Sequence, residues 1–190
     1  MKIIAAVLAL ACTPAWAQLT KPVSSPGVAL PAPIGPVITP QSFSDLEHRF
    51  DNTLKAINPV DPVDVLGSTR AVYLQDYGVV ITTEVSLIIT PSPNPFRQKI
   101  TPADVKAIHH RKELRVPLLE KTMLEMVKAA AMTMTGAVGL RNVAASPLQV
   151  VYVVRCLYLP FENTSGLPAQ IIMKATLANA ISGEITKDVQ

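Results

Sequence analysis

The chain has 190 residues, 49% of them hydrophobic and 16% charged, and a formal net charge of +3. That length fits one domain, and the composition is too apolar for a disordered chain and too interrupted for a multi-span membrane protein. The charge is too small to argue for nucleic acid as a partner.

The N-terminus reads as an address. Met1-Lys2, the apolar run Ile3 to Ala11 and Ala15-Trp16-Ala17 follow the order of a bacterial-type secretory signal: a basic start, an apolar centre and small residues where a signal peptidase reads. Cleavage is expected before Gln18. The apolar run falls short of the about 20 residues that span a bilayer. A lipoprotein signal using Cys12 is the rival reading, but Ala9-Leu10-Ala11 lacks the aliphatic residue expected three places ahead of the cysteine. Cleavage removes Lys2, Cys12 and Trp16, leaving 16 basic and 14 acidic residues and a single cysteine, Cys156. One cysteine closes no intramolecular disulfide. The expected location is periplasmic or secreted. No later segment is able to span a membrane; Val79 to Ile89 is apolar but short, and Glu84 interrupts it.

Gln18 to Gln41 holds six prolines, which deny it helix and central strand. It reads as an extended linker, serving as a tether or as a plain leader to the domain. The domain is expected over residues 42–190. Ser42 to Ile57 reads as a helix: Ser44 and Glu47 have capping-box spacing, and Leu46, Phe50, Leu54 and Ile57 recur at helical period. Asn58-Pro59 stops it. Arg70 to Ile89 reads as a β-hairpin with a tight loop at Asp76-Tyr77-Gly78. Pro91, Pro93 and Pro95 close its second strand. Thr101-Pro102-Ala103-Asp104 starts a long helix, with an interruption expected near Pro117 and an end at Gly136 and Gly139. Leu148 to Leu159 reads as a central strand. Ala169 to Ile181 is open to strand or helix, and the strand is favoured. The sum is an α+β domain: a small antiparallel sheet, made of the hairpin plus one or two later strands, packed against a long helix, with an N-terminal helix.

Val72-Tyr73-Leu74, Tyr77-Gly78-Val79-Val80 and Glu84-Val85 resemble a pattern in a family of uncharacterised secreted bacterial proteins, in which a tyrosine-glycine β-hairpin precedes a long helix and a late strand. The resemblance extends over 69–175. It implies no activity and carries over no catalytic residues.

His109, His110 and Glu113 are the one metal-like cluster, at i,i+4 and i,i+3 spacing. Zinc takes three or four ligands, and the basic neighbourhood opposes a cation. The cluster is read either as a solvated helical face or as a patch for an anionic partner, formed by His109, His110, Arg111, Lys112 and Arg115. Tyr73, Tyr77, Tyr152 and Tyr158 are read either as an aromatic groove or as half-buried sheet residues. Cys156, in mid-strand among aliphatic residues, reads as a buried structural thiol. No G-x-S-x-G and no phosphate-binding glycine loop occurs; the sequence supplies no catalytic set, no metal set and no cofactor pattern. Asn163-Thr164-Ser165 reads as a loop.

Two functions remain. The first is a non-enzymatic envelope protein acting by binding or assembly, with an envelope protein or an anionic surface polymer as partner. The second is a small periplasmic hydrolase with dispersed catalytic residues. A cleft joining His109 or His110 to Glu84 or Asp76 favours the hydrolase; an open sheet face favours binding.

Overall fold

The computed structural model describes residues 40–90, 99–138 and 143–190. The expected signal peptide (1–17), the linker up to residue 39, the loop carrying Pro91, Pro93 and Pro95, and Gly139 lie outside the described residues.

Helix α1 spans Pro40–Lys55, so Pro40 and Gln41 are helical rather than part of the linker. Ser44 and Glu47, expected as a capping box, lie inside it. The apolar stripe begins earlier than the sequence reading has it: Phe43 packs with Leu46, Phe50 and Leu54 on the core. Proline suits a first helical turn, where no intrahelical N–H is needed. Glu47 turns to the sheet instead, and its Oε1 accepts a hydrogen bond from the Ala71 N–H at 2.8 Å.

Strands β1 (Asp64–Val65) and β2 (Arg70–Leu74) both pair antiparallel with β3 (Gly78–Ser86), towards opposite ends of it. The hairpin lies where the sequence places it. Its turn is closed by the Tyr77 N–H donating to Leu74 O at 3.1 Å. Asp76 (φ 61°) and Gly78 (φ 126°) adopt the left-handed region. β3 ends at Ser86, short of the expected Ile89, because the Ser86 hydroxyl donates to Ile88 O at 2.8 Å in a local turn.

Helix α2 spans Pro102–Val138. Its start is as read: the Asp104 N–H donates to Thr101 Oγ1, and the Thr101 N–H and hydroxyl donate to Asp104 Oδ2. These bonds hold the Asp104 carboxyl below its ordinary range. The expected break at Pro117 does not occur, since one helix contains it, whereas the helix ends at Val138, between the sequence positions of Gly136 and Gly139, as expected. Ile108, Lys112, Arg115, Leu119, Met123, Met126, Ala130 and Met134 form a continuous buried stripe. A helical proline costs about 3 kcal/mol, against about 1.5–3 kcal/mol for each buried Leu or Met, so packing on both sides of Pro117 prevails.

α2 connects β3 to β4 (Gln149–Cys156), and these strands pair parallel from Gly78↔Gln149 to Val85↔Cys156. The sheet is therefore mixed rather than wholly antiparallel, because a parallel pair needs a long crossover, which the 37-residue helix provides. β5 (Gln170–Thr176) and β6 (Thr186–Val189) follow antiparallel. Residues 169–181 hold strand and helix in succession: β5, then α3 (Leu177–Ser182), capped by Thr176 and ended by Gly183 at φ 91°.

One sheet face is the core. Val79, Ile81, Val85, Val150, Tyr152, Val154, Ile171 and Met173 are buried there with the apolar stripes of α1 and α2 and with Leu177 and Ala180 of α3. The strand register sets Val72, Val80 and Val151 in one row on the opposite face, with Arg70, Thr82, Val153 and Ile172 in the next. Val72 is 54% and Leu74 45% exposed.

Candidate functional site

The five residues of the anionic-partner reading do not share an exposed basic face. Lys112 and Arg115 lie seven and four residues before Leu119, on the buried stripe of α2. Lys112 pairs with Glu162 Oε2, and its Nζ sits 4.8 Å from the centre of the Tyr158 ring. Arg115 Nη2 donates to Asp61 O at 2.8 Å and to Asp61 Oδ2 at 3.2 Å. Arg111 Nη2 lies 2.7 Å from Asp61 Oδ1. His109 has Nδ1 at 2.9 Å from Asn163 O and Nε2 at 3.2 Å from Glu113 Oε1. His110 is the most solvated of the five, 3.6 Å from Glu113 Oε2. This half of α2 thus clamps the chain's own segments around Asp61 and Glu162–Asn163. Among the described residues no three His, Cys, Asp or Glu side chains gather as a metal site.

The four tyrosines do not line one groove. Tyr152 is buried in the core, edge-on to Phe50 at 5.2 Å between ring centres. Tyr73 and Tyr158 pack on the rim of that core, and the Tyr158 hydroxyl donates to Pro168 O at 2.7 Å. Tyr77 lies at the hairpin turn, 6.0 Å from Lys174 Nζ. Burial pushes the Tyr152 and Tyr158 phenols upward. The alternation of strand residues explains the dispersal: Tyr152 pairs with Ile81 on the core face, while Lys174 shares the opposite face with Val80 and Val151.

Cys156 is buried, as expected. Burial pushes its thiol up to about 11, only partly opposed by a hydrogen bond with Tyr158 and the charge of Lys112. A thiol held protonated is a poor nucleophile. Behind β2 a buried polar chain crosses the core: the Thr69 N–H and hydroxyl donate to Asp51 Oδ1, Thr69 Oγ1 lies 2.8 Å from Thr83 Oγ1, and Thr83 Oγ1 lies 3.2 Å from Tyr152 Oη.

The open sheet face holds a feature that the sequence reading missed. A cleft of about 530 Å³ runs between the loop 66–68 and the side chains of Arg70, Thr82, Glu84, Val153 and Arg155. Arg155 Nη1 donates to Glu84 Oε1 at 2.9 Å across the parallel strands. The Arg70 guanidinium has no bonding partner among the described residues. The alternation Arg70, Val72, Leu74 against Thr82, Val80, Gly78 was the available signal, but only the antiparallel register shows which side it faces. His109 and His110 have their partners at Asn163 and Glu113, whereas Glu84 belongs to this open face, where it is engaged by Arg155.

These features define an α+β domain with a one-sided mixed sheet and a cleft on its open face. No family model, curated protein or solved structure matches the chain.

Proposed function

We propose that the chain is an exported cell-envelope protein that acts by binding or assembly, with the open sheet face as its binding surface. The observation that carries this reading is apolar surface on a face where no described helix packs: Val72 is 54% and Leu74 45% exposed there, with half-buried Val80 beside Val72 in the strand register. A half-covered sheet ordinarily turns polar residues outward, and contiguous exposed apolar surface marks interaction sites. Export is supported by Ala15-Trp16-Ala17 and by the resemblance to secreted proteins with a tyrosine-glycine hairpin.

Photo-crosslinking tests the surface. A photoreactive phenylalanine analogue at Val72 should give a discrete protein adduct in the intact envelope, and the same group at exposed Lys121 of α2 should not. Absence of the adduct at 72, or equal adducts at both positions, would remove the open face as the binding surface. Mass analysis of the purified chain tests export: the expected N-terminus is Gln18, and a lipid-modified Cys12 would replace a freely exported protein with an anchored one.

A further inference from the structure

We infer that the cleft beside Arg70 receives the carboxylate of an acidic residue in an extended segment of a partner protein. The inference rests on reading the open face as the binding surface and names the chemistry recognised there.

Three observations lead to it. The Arg70 guanidinium has no partner among the described residues, whereas Arg155, across the cleft, is engaged by Glu84. A guanidinium presents paired N–H donors whose spacing matches a carboxylate. Thr82 adds a hydroxyl beside it, and Leu66 and Val153 add aliphatic wall, so the site offers an anion subsite bordered by surface for methylene groups. Beside the cleft, the next row of this face presents Val72, 54% exposed, and half-buried Val80, and reaches Lys174 beyond the buried Val151. An acidic side chain followed by aliphatic neighbours would place each kind of group against its complement.

Charge decides between a peptide and a polyanionic glycan. Two arginines against Glu84 leave the cleft one net positive charge, enough for one carboxylate and too little to hold a run of them. Among the described residues no aromatic side chain lines it for a sugar ring to stack on, and a uronate polymer would leave the exposed Val72 uncovered. An aliphatic–acidic–aliphatic peptide uses all three features.

The test follows backbone amide shifts of the isotope-labelled full mature chain during titration with three probes: acetyl-Val-Glu-Val-amide, acetyl-Val-Gln-Val-amide and polygalacturonate. The acidic peptide should shift the amides of Ser68, Arg70 and Thr82 saturably. The glutamine peptide should bind about tenfold more weakly or worse, the usual consequence of losing a charge-assisted hydrogen bond. Arg70→Gln should abolish the difference between the two peptides while the other amides keep their positions. Equal binding of the two peptides, an unchanged difference in Arg70→Gln, no peptide binding, or polygalacturonate acting in place of the acidic peptide would each overturn the inference. If the adduct at Val72 forms while these titrations fail, the binding surface stands and only its proposed ligand falls.

Discussion

Lys112 of α2 and Glu162 of the loop before β5 form an ion pair in which each side chain is only 1% exposed. The two residues are fifty apart in sequence, so the pair anchors a long loop near the start of the buried stripe of α2. Removing one partner of a buried pair leaves a charge without compensation, which destabilises by about 3–5 kcal/mol. Lys112→Met should therefore shift the urea midpoint strongly, against a total stability of about 5–15 kcal/mol. Lys112→Met combined with Glu162→Leu should recover most of the loss. If the single substitution costs less than about 1 kcal/mol, the pair behaves as a surface salt bridge and the loop is not anchored here.

The same residue shows where sequence reading stops. Chemistry alone puts Lys112 and Arg115 among the wet residues of a basic run. Their spacing from Leu119 puts them on the buried stripe, and the structure follows the spacing. The start of α2, the hairpin turn and the central strand are local matters of caps, glycine and β-branching, and were legible; the start of α1 was not, because its expected capping-box residue Glu47 bonds to β2 instead. Non-local pairing was not: the parallel contact of β3 with β4, the short β1, and β6 at the sheet edge depend on partners far along the chain. The cleft beside Arg70 was hidden for the same reason, because its walls come from β2, β3 and β4 together.

Gly78 carries two constraints. Its φ of 126° disfavours any side chain, and a Cβ built there would lie 2.0 Å from the carbonyl oxygen of Gln149. The Gln149 N–H donates to Tyr77 O at 2.7 Å beside it, so backbone meets backbone and neither can yield cheaply. Gly67 has φ 89° and nothing within 4 Å of such a Cβ. Gly67→Ala should therefore cost only backbone strain, about 1 kcal/mol. Gly78→Ala should cost clearly more and lower soluble yield. Equal urea midpoints for the two variants would mean that the close approach of the turn to β4 is absent.

Cys156 gives a pH dependence with a definite sign. Its folded thiol titrates at about 11 against an ordinary value of 9.0. As pH rises past 9.0 the unfolded chain loses this proton first, so it binds fewer protons than the folded one and stability falls, by up to about 1.4 kcal/mol per pH unit until about 11. Below that window the thiol contributes no slope. Urea midpoints at about pH 8 and about pH 9.5, below the ordinary phenol range, should differ more for the parent than for Cys156→Ala. Parallel shifts in both proteins would mean that the thiol is as solvated in the folded state as in the unfolded one.

Thr83 stands between two hydroxyls, with Thr69 Oγ1 at 2.8 Å and Tyr152 Oη at 3.2 Å. Its two neighbours are not equally dependent on it. Thr69 also donates to Asp51 Oδ1, whereas the Tyr152 hydroxyl is fully buried and has Thr83 as its partner among the described residues. Thr83→Val keeps the shape but strands the phenol, and a buried polar group left without a partner costs about 1–3 kcal/mol. Tyr152→Phe removes that phenol while Thr83 keeps Thr69, so its loss should be smaller, about 1 kcal/mol. The ring's edge contact with Phe50 survives in both. Combining the two substitutions removes donor and acceptor together, which leaves nothing stranded. The double variant should therefore be more stable than Thr83→Val alone, and its urea midpoint should lie close to that of Tyr152→Phe. Additive losses in the double variant would show that the phenol finds another partner when Thr83 is replaced, and that the chain from Asp51 to Tyr152 is not continuous.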